Sequence, residues 1–400
     1  MSTSPLAPHH RADPLTGRTS FFNPWRSAYL PSLADLFRGP WLSRPMHELK
    51  GLVENVKVVE PDWGRRELRR RARERKRGAL ALDGLDDAGG GNGEGEVICG
   101  TWVGHAGAFV EIPLGPAPAS TTSTSSPRPT LKLLFDPMFS ARASPVTWFG
   151  PKRMREAPCP VEDLPGVDVV LISHNHYDHL DLATILAVHA KWPRAVYCVG
   201  LGNAPWFVAR GIPARQVHEM DWWEEAVFPA SFFLEPPKSR RPPGPTARSA
   251  DEEVRVTCVP AQHTSDSPLT SPVFPALGAQ YGPFDLSFIP IWRGGTLGFV
   301  SALGLRLCQE NLPTATHASP SDAVQIHLDV RSRNTVGIHF GTFQGSHLEA
   351  LEALHELEGA CSEAGVRDLR DEKEGKRGRM GRVDIGETLV VSVCAQTVDV

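Results

Sequence analysis

Short apolar runs closed by Gly, Pro, Asp or His recur along the second and third quarters of the chain and again near its end. TLKLLFDP (130–137), VDVVLISH (167–174), RAVYCVG (194–200), VRVTCVPAQH (254–263), FDLSFIPI (284–291) and TVGIHFGTF (335–343) are rich in β-branched residues and show little polar alternation. Such runs are predicted to be strands buried on both faces. Between them, DLATILAVHAK (181–191) and HLEALEALHELEGACSEAG (347–365) carry helical spacing, and the second predicts a helix ending at Gly365. In SPSDAVQIHLDV (319–330), Ser319 precedes Pro320 and Asp322 follows three residues on, the signature of an N-cap with an acidic first turn. Strands alternating with helices indicate an α/β fold.

The patterned region opens at VICGTWVGHAGAFVEI (97–112). Two segments without apolar periodicity interrupt it, PAPASTTSTSSPRPT (116–130) and PPKSRRPPGPTARSADEE (236–253), and both read as disordered surface inserts. Upstream, residues 1–64 are rich in Pro and Trp with little periodicity. RRELRRRARERKRG (65–78) follows with nine basic residues and two glutamates, then the Gly-rich linker DDAGGGNGEGE (86–96). The predicted organisation is an N-terminal extension over 1–95 and a catalytic-type domain over 96–400. The Arg-rich arm reads first as a solvated helix or a disordered arm and second as a contact for anionic lipid headgroups.

Composition refines this picture only modestly. A net charge of -4 argues against a generally basic nucleic-acid binder, so no nucleic-acid partner is expected. Seven dispersed cysteines with no CxxC pair fit reduced thiols in an intracellular protein. GGTLGFVSALGLRL (294–307) is the nearest approach to a membrane span and is short and Gly-rich, so no transmembrane helix is expected. Arg11, Arg18 and Arg26 against Asp13 give the first thirty residues a slight transit-peptide bias.

The candidate chemistry lies where runs end. LISHNHYDHLD (171–181) places three histidines and two aspartates directly behind an apolar run. His174 and His176, two apart in an extended loop, can face one ion. Asp178 and His179, at the turn into the next helix, can face a second. His263 closes another strand-like run, and His339 lies within a further one. Ligands gathered at strand ends on one edge of a sheet are the usual arrangement of α/β proteins. Imidazole and carboxylate donors in this spacing suit Zn²⁺.

The HxHxDH spacing resembles the metallo-β-lactamase superfamily, which implies an αβ/βα sandwich of two packed mixed sheets flanked by helices, with a dinuclear metal site on one edge. FNPW, TWVGHAG, RASPVTWFGPKR, PAQH, GPFDLSFIPI and IHFGTF, in that order, narrow the resemblance to the N-acyl-phosphatidylethanolamine phospholipase D family, from about Phe22 to the C-terminus. The resemblance implies hydrolysis of N-acyl-phosphatidylethanolamines to N-acylethanolamine and phosphatidic acid by metal-activated hydroxide. One zinc would take His174, His176 and His263; the other would take Asp178, His179 and His339. Tyr177 and His317 would approach the substrate headgroup, and each could equally be an ordinary surface polar residue. His105 and Asp136 would buttress the ligands from behind; a buried turn histidine and a turn-capping aspartate are the plainer readings. The implied partner is a phospholipid at a membrane surface, met by peripheral association, and the resemblance suggests a homodimer.

One family element is missing. The pattern requires a Gly-Asp-Thr whose aspartate bridges the two zincs, and this sequence contains none. Asp266 and Asp285 are the only aspartates between His263 and His317. Asp266 reads as a turn residue, and Asp285 matches an aspartate that the family already has. The expected consequences are one or two zincs rather than a firm two, a weaker second site and an exposed sheet edge where a strand pair is lost. An impaired family member keeping one zinc, and a superfamily hydrolase of another kind such as a lactonase, are the alternatives.

Overall fold

The computed structural model describes residues 9–12, 19–21, 42–43, 54–82, 96–114, 129–234, 253–261, 273–292, 305–307, 318–343, 347–371 and 375–393. His263, Asp266, His317, most of both inserts, most of the Gly-rich linker and most of 294–307 lie outside these residues.

The larger sheet contains β4 (Val97–Gly104), β5 (Gly107–Pro113), β6 (Thr130–Phe135), β7 (Val169–Ile172), β8 (Val196–Gly200), β9 (Val217–Met220) and β16 (Thr388–Ser392). Their order is β16-β4-β5-β6-β7-β8-β9. The first four are antiparallel neighbours, and β6 through β9 run parallel. A smaller parallel sheet sets β14 (Asn334–Ile338) between β12 (Ser287–Pro290) and β15 (Arg379–Gly381). Three short antiparallel pairs complete the strands: β1 (His10–Ala12) with β2 (Thr19–Phe21), β3 (Leu42–Ser43) with β13 (Arg306–Leu307), and β10 (Glu225–Pro229) with β11 (Glu253–Thr257).

Register explains why β6, β7 and β8 carry unbroken apolar runs. Leu133, Val169 and Val196 are cross-strand partners on one face, and Leu134, Val170 and Tyr197 are partners on the other. The first set packs with Phe228 of β10 and Met220. The second packs beneath Ile185 and Val188 of α2 (Leu182–Lys191) and Phe207 of α3 (Ala204–Val208). Both faces are covered, so polar alternation has no place.

The smaller sheet packs with α4 (Val273–Gln280), α5 (Pro320–Asp329) and α6 (His347–Ala364) through Leu277, Val324, Val336, Leu354 and Met380. Trp102 of β4 belongs to this same core and joins the two halves. Gly100 of β4 permits the close approach, because a β-carbon there would lie 2.5 Å from the Leu286 side chain. The layers are thus helix, large sheet, small sheet, helix: a sandwich of two packed sheets flanked by helices.

Ser319 and Asp322 form a reciprocal capping box at the start of α5, and α6 ends at Ala364 before Gly365 at φ 66°. The basic arm is helix α1 (Arg65–Leu82), with Glu67 and Glu74 bonded to Arg70 and Glu67 also to Arg71. These spacings stabilise a solvated helix. Just upstream, Val59 N–H bonds to Ile385 O, and Trp63 packs edge-on against Phe109. The extension predicted over 1–95 therefore contributes contacts to the sandwich. Among the described residues β12 pairs only with β14, leaving its other side at the sheet margin.

Candidate metal centre

The parallel strands β6 and β7 end on one edge of the large sheet. Asp136 follows β6 and Ser173 follows β7; the β4–β5 turn supplies His105, and the end of β14 in the other sheet supplies His339. A backbone bond from His339 N–H to His105 O, 2.8 Å, joins the two sheets here. Asp136, His105 and His339 all adopt positive φ, at 38°, 51° and 65°. L-residues seldom hold this backbone region, and it recurs at functional sites where neighbours over-determine the conformation. The neighbours are present: Thr342 Oγ1 accepts from His105 N–H, and Trp102 Nε1–H donates to His105 O.

Asp136 organises one side. Its Oδ1 accepts from Ser173 N–H at 2.7 Å; its Oδ2 accepts from Ser173 Oγ at 2.6 Å and from His179 Nδ1 at 2.9 Å. With Nδ1–H committed to Asp136, the His179 Nε2 lone pair points into the site, towards His339 Nε2 at 3.2 Å. His105 organises the other side, donating Nε2–H to Asp178 Oδ2 at 2.8 Å. That oxygen also lies 3.6 Å from His179 Nε2 and 3.9 Å from His339 Nε2.

Electrostatics follow from this packing. Burial pushes His105 towards the neutral form. Burial alone would raise the Asp178 carboxyl, but the hydrogen bond from His105 and the neighbouring His179 prevail and hold it well below the usual carboxylate range. A neutral His105 donating to a charged Asp178 is the state consistent with both. Burial also opposes charge on His179, yet Asp136 and then Asp178 raise its affinity for a proton. Two carboxylates thus create a field that favours positive charge at the His179–His339 gap.

Whether a metal fits there can be tested on donor geometry. His179 Nε2, His339 Nε2 and Asp178 Oδ2 form a triangle of sides 3.2, 3.6 and 3.9 Å. The point equidistant from its corners lies about 2.1 Å from each, which matches zinc bonds to imidazole nitrogen and carboxylate oxygen. The residues fit the ion. His105 belongs to the same donor cluster, with Asp178, His179 and His339, all within 4.8 Å.

His174 and His176 come together beside this group, with Nε2 and Nδ1 3.0 Å apart, and the His174 ring lies 4.0 Å from that of His179. Their expected third partner, His263, lies outside the described residues, as does His317. Tyr177 is 56% exposed on the rim. The structure therefore assembles Asp178, His179 and His339, which the sequence reading held to be the weaker set. Ser173 was not singled out in the sequence. Its signal was its place between the strand and the first motif histidine, where its hydroxyl reaches Asp136 and also lies 2.9 Å from His174 Nδ1.

Residues 132–340 match the family model described as a beta-lactamase superfamily domain. The chain is 28% identical over 295 residues to N-acyl-phosphatidylethanolamine-hydrolyzing phospholipase D 1 of Caenorhabditis elegans, covering 65% of this chain and 69% of that protein. It is 28% identical over 301 residues to an uncharacterized protein of Mycobacterium tuberculosis, covering 66% of each. It is 26% identical over 263 residues to the mitochondrial N-acyl-phosphatidylethanolamine-hydrolyzing phospholipase D of Saccharomyces cerevisiae, covering 60% of this chain and 50% of that one. The chain thus spans between 50% and 69% of the length of these relatives. Among solved structures, the isothiocyanate hydrolase from Delia radicum gut bacteria aligns at TM-score 0.43 and 15% identity, covering 74% of this chain and all of the other. A metallo hydrolase of Ignicoccus hospitalis aligns at 0.39 and 14%, with the same coverage.

Proposed function

The chain belongs to the beta-lactamase superfamily, and on that premise we propose that it is a zinc-dependent phospholipase D cleaving N-acyl-phosphatidylethanolamines to N-acylethanolamine and phosphatidic acid. The observation that carries the metal-dependent part is the convergence of His179, His339 and Asp178 on one point, with His179 braced by Asp136 and Asp178 by His105. The likeness to two phospholipases D supports the substrate.

Zinc bound by these residues would supply an acidified water and positive charge beside the phosphodiester oxygens. The chain's own groups do the rest. Asp136 and Ser173 fix the His179 tautomer, and His105 fixes the Asp178 oxygen, so these two donors are held in place before binding. The Tyr177 hydroxyl, exposed on the rim next to Asp178, is available to donate to a phosphate oxygen.

The absence of Gly-Asp-Thr supports a second reading, a family member holding one zinc and turning over slowly. Metal counting on purified protein, paired with phosphatidic acid release from N-acyl-phosphatidylethanolamine, separates the two. Two equivalents with turnover support full activity. One equivalent with residual turnover supports the second reading. Zinc-loaded protein that releases no phosphatidic acid but opens a soluble lactone would overturn both.

A further inference from the structure

Between β6 and β7 the chain forms a finger. Arg142 and Lys152 make an antiparallel bridge, Ala143 N–H bonds to Pro151 O, and Arg153 N–H bonds to Ala141 O, each at 2.9 Å. Gly150, at φ 95°, closes the tip so tightly that a β-carbon there would sit 2.6 Å from Ser144 Cβ. The stem is anchored by buried Arg153, whose Nε donates to Ser140 O at 3.0 Å and whose guanidinium lies 4.9 Å over the Phe343 ring. Phe343 in turn stands edge-on to His105 at 5.2 Å. The finger is braced against the wall of the metal centre.

Its tip is apolar and open to solvent. Trp148 is 78% exposed and Phe149 68%, with Val146 at 36% beside them. These are the two most exposed large apolar side chains among the described residues. The segment Pro137–Arg155 holds no acidic residue; Lys152 is exposed beside the half-buried Arg142, while Arg153 and Arg155 turn inward onto backbone carbonyls. Aromatic tips favour the headgroup–acyl boundary, and basic side chains favour an anionic leaflet. Helix α1 is more basic, but Arg65–Glu74 holds no aromatic residue and Glu67 and Glu74 pair with its arginines. We propose that this finger docks the protein on an anionic phospholipid bilayer by inserting Trp148 and Phe149, presenting the metal centre to the headgroups. The inference rests on the reading that the substrate is a phospholipid. A closed, braced tip loses little conformational entropy on insertion.

The test is co-sedimentation of the full chain with phosphatidylcholine vesicles, with and without phosphatidylserine. The wild type is expected to partition to the anionic vesicles. Trp148→Ser with Phe149→Ser should weaken this at least about tenfold, since two large apolar side chains lose their burial. Lys152→Glu should weaken it about fivefold or more and flatten its salt dependence. The tip is exposed, so both variants should melt with the wild type. Equal sedimentation of the double variant would overturn the proposal. So would a wild type that ignores vesicles while the double variant shifts from dimer to monomer, which would give the tip to a second copy of the chain. Hydrolysis of N-acyl-phosphatidylethanolamine in detergent micelles keeps the two readings apart. No micellar turnover, with vesicle binding still dependent on Trp148 and Phe149, removes the substrate and leaves the finger. Turnover with tip-independent vesicle binding removes the finger alone.

Discussion

Replacing Asp136 with Asn exchanges one carboxylate oxygen for an NH₂ and inverts the hydrogen-bond logic of the site. In the wild type Asp136 only accepts: from Ser173 N–H at 2.7 Å, Ser173 Oγ at 2.6 Å and His179 Nδ1 at 2.9 Å. An amide keeps one acceptor, which retains the Ser173 backbone bond, and presents an NH₂ to the other two groups. His179 Nδ1 must then accept, and the ring proton moves to Nε2, the atom facing His339 Nε2 at 3.2 Å. The lone pair that would hold the metal is lost. Removing such an outer partner lowers metal affinity about 10- to 100-fold, or about 1.4–2.8 kcal/mol. The fold should lose less, about 1–2 kcal/mol, because the amide preserves shape and one bond. The assay is competition for zinc against a chromophoric chelator, with near-UV circular dichroism to show that the variant remains native. A native Asp136→Asn protein whose zinc affinity matches wild type within about twofold would refute the tautomer argument.

Three further outcomes follow from the packing. Gly278→Ala should destabilise by about 3 kcal/mol or more in urea titration, because the methyl would sit 1.9 Å from the Asp329 carbonyl oxygen and α4 cannot move away without parting from α5. Ser319→Ala removes half of the α5 capping box and should lower the urea midpoint by the equivalent of about 1 kcal/mol, with metal affinity unchanged. His327 is fully buried, its Nε2–H bonded to Arg377 O and its Nδ1 to Thr335 Oγ1, and burial lowers its pKa from the ordinary 6.5. The unfolded chain then takes up a proton that the native state refuses, so this contribution is whole above pH 6.5 and falls away below it, by at most about 1.4 kcal/mol per pH unit. Melting temperature should drop on acidification from neutrality, and His327→Gln should show a shallower drop.

Much of this architecture can be read from the chain. The runs at 130–137, 167–174 and 194–200 contain β6, β7 and β8 because strands covered on both faces leave a continuous apolar trace. The capping box of α5 and the Gly365 stop of α6 are written in local residue types. The bracing of the site is not, because it depends on contacts across long separations: His105 meets Asp178, and Asp136 meets His179, through folding alone. Spacing could pair Asp178 with His179, and the family resemblance implied His339 as their partner, but neither could show that two buried residues at positive φ hold them ready. The strand-like run at 254–263 also overstates its length, since β11 ends at Thr257 where pairing with β10 stops. Pairing partners rather than propensity set where a strand ends.

An ion held between His179 and His339 would be a crosslink as well as a catalyst. The two residues are separated by 160 positions and follow strands of different sheets, β7 and β14. Tying them closes a loop whose entropy in the unfolded chain is worth about 5 kcal/mol on the same reckoning used for disulfides. The described cysteines, Cys99, Cys159, Cys198, Cys258 and Cys361, are all free thiols. Among the described residues, fastening the two halves of the sandwich covalently would fall to the metal rather than to sulfur.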